Sequence, residues 1–322
     1  MGKRKVSICV PCYNEQDNVR PVYEAITHEM ANIPQYDYEI IFRDNASTDE
    51  TYERLKSIAR EDNRVKIVEN LANYGPGYRG VTWRPYISGN MVFSIACDLQ
   101  DPIEMIPEFL AYYEQGYRVV MGQKTGSDEG RIKYLLRQIF YMIIDYFSEK
   151  KQYRHISGIA LMSKEIYELA CDFANQIPFR FLLAEIGYPV KLVPYQQRKR
   201  LTGKSKLKIN SLLEFSLRSL VLTSTKPIHI ATSVGFIGAI SSFFMGVLYL
   251  MLKLMYWDEF HMGIAPIAII VSFIGSLQLF LTGLVGEYLT VVYERVSKQV
   301  PSFVKETINV ERENYFESKD KR

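Results

Sequence analysis

The chain has 322 residues and a formal net charge of +3, with 48% hydrophobic and 23% charged residues. That composition excludes a disordered chain, a collagen-like repeat and a disulfide-built miniprotein, and the near-neutral charge argues for no nucleic-acid partner. The averages conceal a division, because residues 228–287 carry only four charges: Lys253, Asp258, Glu259 and Glu287.

Ahead of that segment, strand-like and helix-like runs alternate. Residues 6–10 are apolar and partly β-branched, 16–31 have helical periodicity, 39–42 read as a strand, and 49–60 as a helix with an acidic first turn. Residues 65–68 follow as strand, 77–87 as helix, 91–96 as strand, 103–115 as helix and 118–121 as strand. The alternation predicts an α/β domain with a mostly parallel sheet covered on both faces, its ligands beyond the carboxyl ends of the strands. Three of those ends are polar and acidic: Pro11 to Glu15, Asp44 to Asp49, and Cys97 to Pro102. Such a rim suits a cation together with a phosphorylated or hydroxyl-rich ligand. Asp49 and Asp101 also read as helix N-caps, whereas Asp44 and Asp98 end strands and do not.

Two local patterns point elsewhere and are set aside on physical grounds. Gly75-Pro-Gly-Tyr-Arg-Gly80 spells a dinucleotide fingerprint. It falls on the third strand of the series, however, and Pro76 lacks an amide to face a phosphate, so a tight turn is expected. Cys9 and Cys12 form a C-x-x-C without the second ligand pair that a zinc site needs. They read as small apolar fillers in a reducing compartment.

Further along, 207–225 places apolar residues at amphipathic spacing, and 131–147 is rich in Leu, Ile, Phe and Tyr with basic residues near its start. Both suit interfacial helices. Residues 228–252 and 264–286 are uncharged and long enough to cross about 30 Å of hydrocarbon. Basic residues precede the first run (Lys204, Lys206, Lys208, Arg218, Lys226) and follow the second (Arg295, Lys298), so the positive-inside rule places both termini in the cytoplasm. No signal peptide is visible ahead of 6–10, which agrees. The expected organisation is a cytoplasmic catalytic domain over 1–206, a juxtamembrane helix over 207–227, two spans within 228–287, and a solvated cytoplasmic tail over 288–322. A bacterial plasma membrane is the expected location.

Taken together, the loops resemble the family 2 glycosyltransferases of the GT-A fold. Val10-Pro-Cys-Tyr-Asn-Glu15 is similar to that family's V-P-x-Y-N-E, and Asp44-Asn-Ala-Ser-Thr-Asp49 to its D-[DN]-[GA]-S-x-D. Asp98-Leu-Gln-Asp-Pro102 is similar to its D-x-D-L-Q-D-P. Arg200-Leu-Thr-Gly-Lys-Ser-Lys206 resembles the R-x-x-G-x-[ST]-K loop of the polyprenyl-phosphate subgroup, and Gly286-Glu-Tyr-Leu its G-E-Y-[IL] ending. One position departs: Ala96 stands where the first Asp of the D-x-D belongs, leaving Asp98 and Gln100 as the matching metal ligands, for Mg²⁺ or Mn²⁺.

The resemblance implies transfer of a sugar from a nucleotide-diphosphate sugar, with UDP-glucose as the family-weighted donor, to a polyprenyl phosphate. Pro11, Tyr13, Glu15 and Asp44 would hold the donor nucleotide. Arg131, Lys133, Arg200, Ser205 and Lys206 would hold the acceptor phosphate, and Asp98, Arg200 and Lys206 would act at the reacting groups. Partners are then the donor, the lipid and the bilayer, with a homo-oligomer left open. Two other readings compete: a processive polysaccharide synthase, suggested by Gln197-Arg-Lys-Arg200 but lacking the Trp of Q-x-x-R-W, and a non-catalytic membrane scaffold, suggested by Ala96.

Overall fold

The computed structural model describes residues 3–75, 83–126, 142, 146, 153, 155–173, 182–184, 187–198, 226–255, 264–296 and 303–310. They belong to two units: 1–138, 150–206 and 299–322 in one, 139–149 and 207–298 in the other.

The first unit is built on β1 (Arg4–Cys12), α1 (Val19–Ala31), β2 (Tyr36–Asp44), α2 (Thr51–Glu61), β3 (Val65–Asn70) and β4 (Met91–Ser94). It continues with α3 (Ile106–Glu114), β5 (Val119–Gly126), β6 (Ile156–Ser163), α4 (Lys164–Phe173), β7 (Val190–Gln196) and β8 (Val304–Ile308). One eight-stranded sheet runs β7-β5-β6-β4-β1-β2-β3-β8. The pairs β1/β2, β1/β4, β2/β3 and β5/β7 are parallel, whereas β4/β6, β5/β6 and β3/β8 are antiparallel.

Strand alternation decides what each face buries. Val6, Ile8 and Val10 face one core with Val22, Ile26, Leu55, Ile58 and Phe109 of the three helices α1 to α3. Cys9, Ile41, Val68 and Val92 face the other, with Trp83, Ile166 and Tyr167. Cys9 and Cys12 thus fall into different cores, and all four cysteines are buried thiols outside any disulfide. The filler reading accounts for this placement.

The sheet is mostly parallel, as expected, with β6 entering antiparallel between β4 and β5, beyond the stretch where alternation could be followed. Two expectations change. The helix expected over 77–87 gives only a 3-10 turn at Arg84–Tyr86 among its described residues, Pro85 lacking the amide that an α-helix interior requires. The tail is not simply solvated: β8 lies at the edge beside β3, and Asn309 Nδ2 donates to Ala59 O at 2.8 Å and Val65 O at 2.9 Å. Five residues of mixed charge carry too little periodicity to announce a strand, and the partner that pairs with them is more than two hundred positions away. 

In the second unit, α5 (Lys226–Met255) and α6 (Ile264–Val296) are long helices covering both expected spans. Among the described residues one window, Phe273–Thr290 in α6, is long and apolar enough to cross a membrane by length and composition. Large apolar side chains stand exposed along both, Phe236, Phe244, Phe273 and Phe280 among them. Their hydroxyls bond back into the helix: Thr232 Oγ1 donates to Ile228 O at 2.9 Å and Thr282 Oγ1 to Gln278 O at 2.8 Å. That arrangement satisfies both hydroxyls within their own helix.

Candidate active site

The carboxyl ends of β1, β2, β3 and β4 open on a cleft of about 310 Å³. The end of β1 contributes Pro11, Cys12, Tyr13 and Glu15, and β2 contributes Arg43 and Asn45. The chain after β3 adds Asn73, Gly75 and Trp83, and that after β4 adds Ala96, Cys97 and Asp98. This is where a parallel sheet leaves a crevice, since β1 is followed by β2 on one side and bordered by β4 on the other.

Each loop turns sharply. Asn14, Ala46 and Leu99 have φ of 54°, 59° and 54°, the left-handed region that residues with a Cβ rarely enter. Such geometry costs roughly 1–3 kcal/mol per residue and persists only where surrounding bonds hold it. Here they do. Asn14 N donates to Ser47 Oγ at 2.9 Å, Thr48 N to Asn14 Oδ1 at 2.8 Å, and Glu15 N to Thr51 Oγ1 at 2.9 Å, tying the first loop to the second. Gln100 N donates to Asp98 Oδ1 at 3.2 Å, closing the turn at Leu99.

Asp44 is fully buried, and its carboxylate accepts from Ser47 N at 3.0 Å and from Ser47 Oγ. Burial raises its pKa, and the Ser47 bonds oppose that rise. Beside it runs an amide relay: Asn70 Nδ2 donates to Asn45 Oδ1 at 2.8 Å, and Asn45 Nδ2 to Asn73 Oδ1 at 2.9 Å. Gly75, at φ 73°, ends the relay with its N–H on Asn73 Oδ1 at 2.8 Å. At the other side Asp101 is buried against the Tyr195 hydroxyl, and desolvation raises its pKa.

A family model for glycosyl transferase family 2 matches residues 7–169, which contain all three strand-end loops of this cleft. The chain belongs to that family. It is a glycosyltransferase, and proteins similar to it match nearly end to end. Putative glycosyltransferase CsbB of Bacillus subtilis (strain 168) is 27% identical over 95% of this chain and 93% of its own length. The SfII prophage-derived bactoprenol glucosyl transferase of Shigella flexneri is 27% identical over 94% of this chain and 98% of its own. The bactoprenol glucosyl transferase of Shigella phage SfV is 28% identical over 93% and 97%. Among solved structures, glucosyl-3-phosphoglycerate synthase from Mycobacterium tuberculosis has a TM-score of 0.44 at 19% identity, covering 68% of this chain and 78% of that one.

In this glycosyltransferase, Pro11, Tyr13, Glu15 and Asp98 meet in one cleft. Asp44, buried at the end of β2, is the carboxylate whose bonds from Ser47 shape the second loop. Gln100 sits past the turn, with Gln197 Nε2 at 3.4 Å from its Oε1 and Arg198 N donating to its carbonyl at 2.9 Å. Arg131, Lys133, Arg200, Ser205 and Lys206 lie outside the described residues. Three cleft residues escaped motif reading: Arg43, Asn73 and Trp83. Arg43 had a signal, a cation inside the otherwise apolar end of a strand (Ile40-Ile-Phe-Arg43). Trp83 had none, since no local pattern says that it returns to the rim.

Proposed function

We propose that this glycosyltransferase moves a sugar from a nucleotide-diphosphate donor to a polyprenyl phosphate at the cytoplasmic face of a bacterial plasma membrane. The product is lipid-linked sugar for cell-envelope glycan assembly. The observation that carries the reading is the near end-to-end match to proteins named bactoprenol glucosyl transferase, apolar helices included. The exposed apolar side chains of α5 and α6 support two membrane spans with the catalytic domain ahead of them.

The chemistry asks little of the protein as a base. A phosphate monoester has a second pKa of about 6 and is already largely anionic near neutral pH. One of its oxygens attacks the anomeric carbon as the bond from that carbon to the donor's β-phosphate oxygen breaks, inverting the configuration. What the chain must do is hold two anions in line and stabilise the departing nucleoside diphosphate. Arg200 and Lys206, with Ser205, Arg131 and Lys133, would hold the lipid phosphate. Pro11, Tyr13 and Glu15 would line the nucleotide, with Asp44 keeping their loop in place.

A divalent ion, Mg²⁺ or Mn²⁺, would supply charge neutralisation on the diphosphate. Among the described residues no group of three His, Cys, Asp or Glu converges, and Ala96 removes one carboxylate from the cleft. Asp98 remains, and one or two carboxylates plus ligand phosphates and waters meet what Mg²⁺ takes. The donor set therefore fits an ion held chiefly by the donor's own phosphates, with Asp98 as its anchor and Gln100 as a second oxygen.

The test incubates membranes carrying the protein with labelled UDP- and GDP-sugars, polyprenyl phosphate and Mg²⁺ or Mn²⁺, with and without chelator. The expected product is a chloroform-extractable monosaccharide phosphate lipid that chelator abolishes. An insoluble polymer, or no transfer from any donor, overturns the reading.

A further inference from the structure

Part of the cleft is held by chain that lies beyond the family match. That match ends at residue 169, whereas Phe303 stands just ahead of β8, in the same unit as the cleft. The ladder between β3 and β8 pairs Asn70 with Val304. Past it, both backbone groups of Phe303 grip the chain that leaves β3. Its carbonyl accepts from Leu71 N at 2.9 Å, and its N–H donates to the Tyr74 hydroxyl at 3.1 Å.

Tyr74 is held from the β2 side as well, its N–H donating to Asn45 Oδ1 at 3.2 Å. The residues that flank it, Asn73 and Gly75, both line the cleft. A bond to Phe303 on one side and a bond to Asn45 on the other therefore fix the backbone between them. Ordering a turn costs conformational entropy, and a ligand that had to order it on arrival would bind more weakly for that reason. A turn held beforehand by the C-terminal strand spares the ligand that cost. The consequence falls on ligand affinity and leaves the chemical step alone.

We propose that Tyr74 and Phe303 are positioning residues for donor binding: the chain that follows α6 returns to β3 and, through the Tyr74 hydroxyl, holds the turn over 71–75 in its ligand-ready shape. This rests on the proposed use of a nucleotide-sugar donor in this cleft. Both residues act through Asn73 and Gly75, which meet the cleft, and neither has a part in the reaction itself.

Two single-hydroxyl deletions in the full-length, detergent-solubilised protein test it. Tyr74→Phe keeps the ring and removes the acceptor for Phe303 N. Tyr52→Phe is the control, since it removes a different bond to the same strand, from the Tyr52 hydroxyl to Glu306 Oε2 at 2.6 Å. Sugar transfer from UDP- and GDP-sugars is followed with donor and lipid varied in turn, alongside equilibrium binding of UDP and GDP. Tyr74→Phe should raise the donor KM and weaken binding of the nucleotide that wild type prefers, each by at least about 3-fold. Its kcat and lipid KM should stay within about 2-fold of wild type, and Tyr52→Phe should leave the donor KM within about 2-fold. An unchanged donor KM in Tyr74→Phe overturns the proposal. An equal rise in both variants also overturns it, because general loosening of β8 would then be the cause. If wild type neither binds UDP or GDP nor transfers from either donor, the donor reading itself falls and takes this proposal with it, which separates the two failures.

Discussion

Lys66 Nζ stands 2.9 Å from Glu39 Oε2, and the two side chains are only 15% and 2% exposed. Lys5 Nζ approaches the same oxygen at 3.0 Å, while Ser7 Oγ donates to Oε1 at 2.6 Å and Ser88 N at 2.8 Å. Burial alone would raise the Glu39 pKa, but the bonds from Ser7, Ser88 and Lys66 outweigh it and hold the carboxyl at about 2. The folded value lies below the unfolded one, so this stabilisation is present above the ordinary carboxylate range and is lost as pH falls toward 2. We expect Glu39→Gln to lower stability by roughly 2–4 kcal/mol at pH 7 and by much less at pH 3. Urea midpoints followed by tryptophan fluorescence at both pH values check this. Equal losses at pH 7 and pH 3 would rule out the charge as the cause.

Asp98 is the carboxylate that opens on the cleft after β4. Asp98→Ala should lower kcat/KM for sugar transfer by at least about 100-fold, equivalent to about 2.7 kcal/mol, with little change in the urea midpoint. Unchanged turnover in this variant would remove Asp98 from the reaction.

Donor and acceptor determinants should separate kinetically. Asp44→Asn loosens the Ser47 bonds that hold the second loop, and should raise the donor KM by roughly 10-fold while leaving the lipid KM within about 2-fold. Lys206→Ala should do the reverse, raising the lipid KM by roughly 10-fold. Steady-state kinetics with each substrate varied in turn decide the matter. A shift of both KM values together in Lys206→Ala would argue against an acceptor role.

The strand β8 is held by side chains as well as by its ladder. Lys305 Nζ pairs with Glu69 Oε1 at 2.7 Å, and the Tyr52 hydroxyl donates to Glu306 Oε2 at 2.6 Å. Asn309, at φ 55°, satisfies two carbonyls at once. Asn309→Ala should cost roughly 1–3 kcal/mol. Lys305→Ala should lower the midpoint as well, because it strips the Glu69 carboxylate, only 8% exposed, of its ammonium partner. Thermal or urea midpoints of the two variants check both, and an unchanged midpoint in either would remove its bond from the hold on β8.

How much of this was legible in the chain depends on the range of the interactions. Strand and helix periodicity from β1 to β5 is local, and so are the three loops whose polar residues directly follow strand ends. Those features were readable, Pro11, Tyr13, Glu15 and Asp98 among them. The division between a charged catalytic part and an apolar part beginning near Ile228 was also readable, because it is a matter of composition. Asp44 shows the limit: its place in the motif was clear, yet only the fold buries its carboxylate and bonds it to Ser47. The antiparallel entry of β6, the return of β8 to the edge of β3, and the meeting of Arg43 with Trp83 in one wall are pairings between distant segments. Nothing in a local window specifies such pairings. They are decided when buried faces find complementary faces and buried donors find acceptors, and that happens only in the packed sheet.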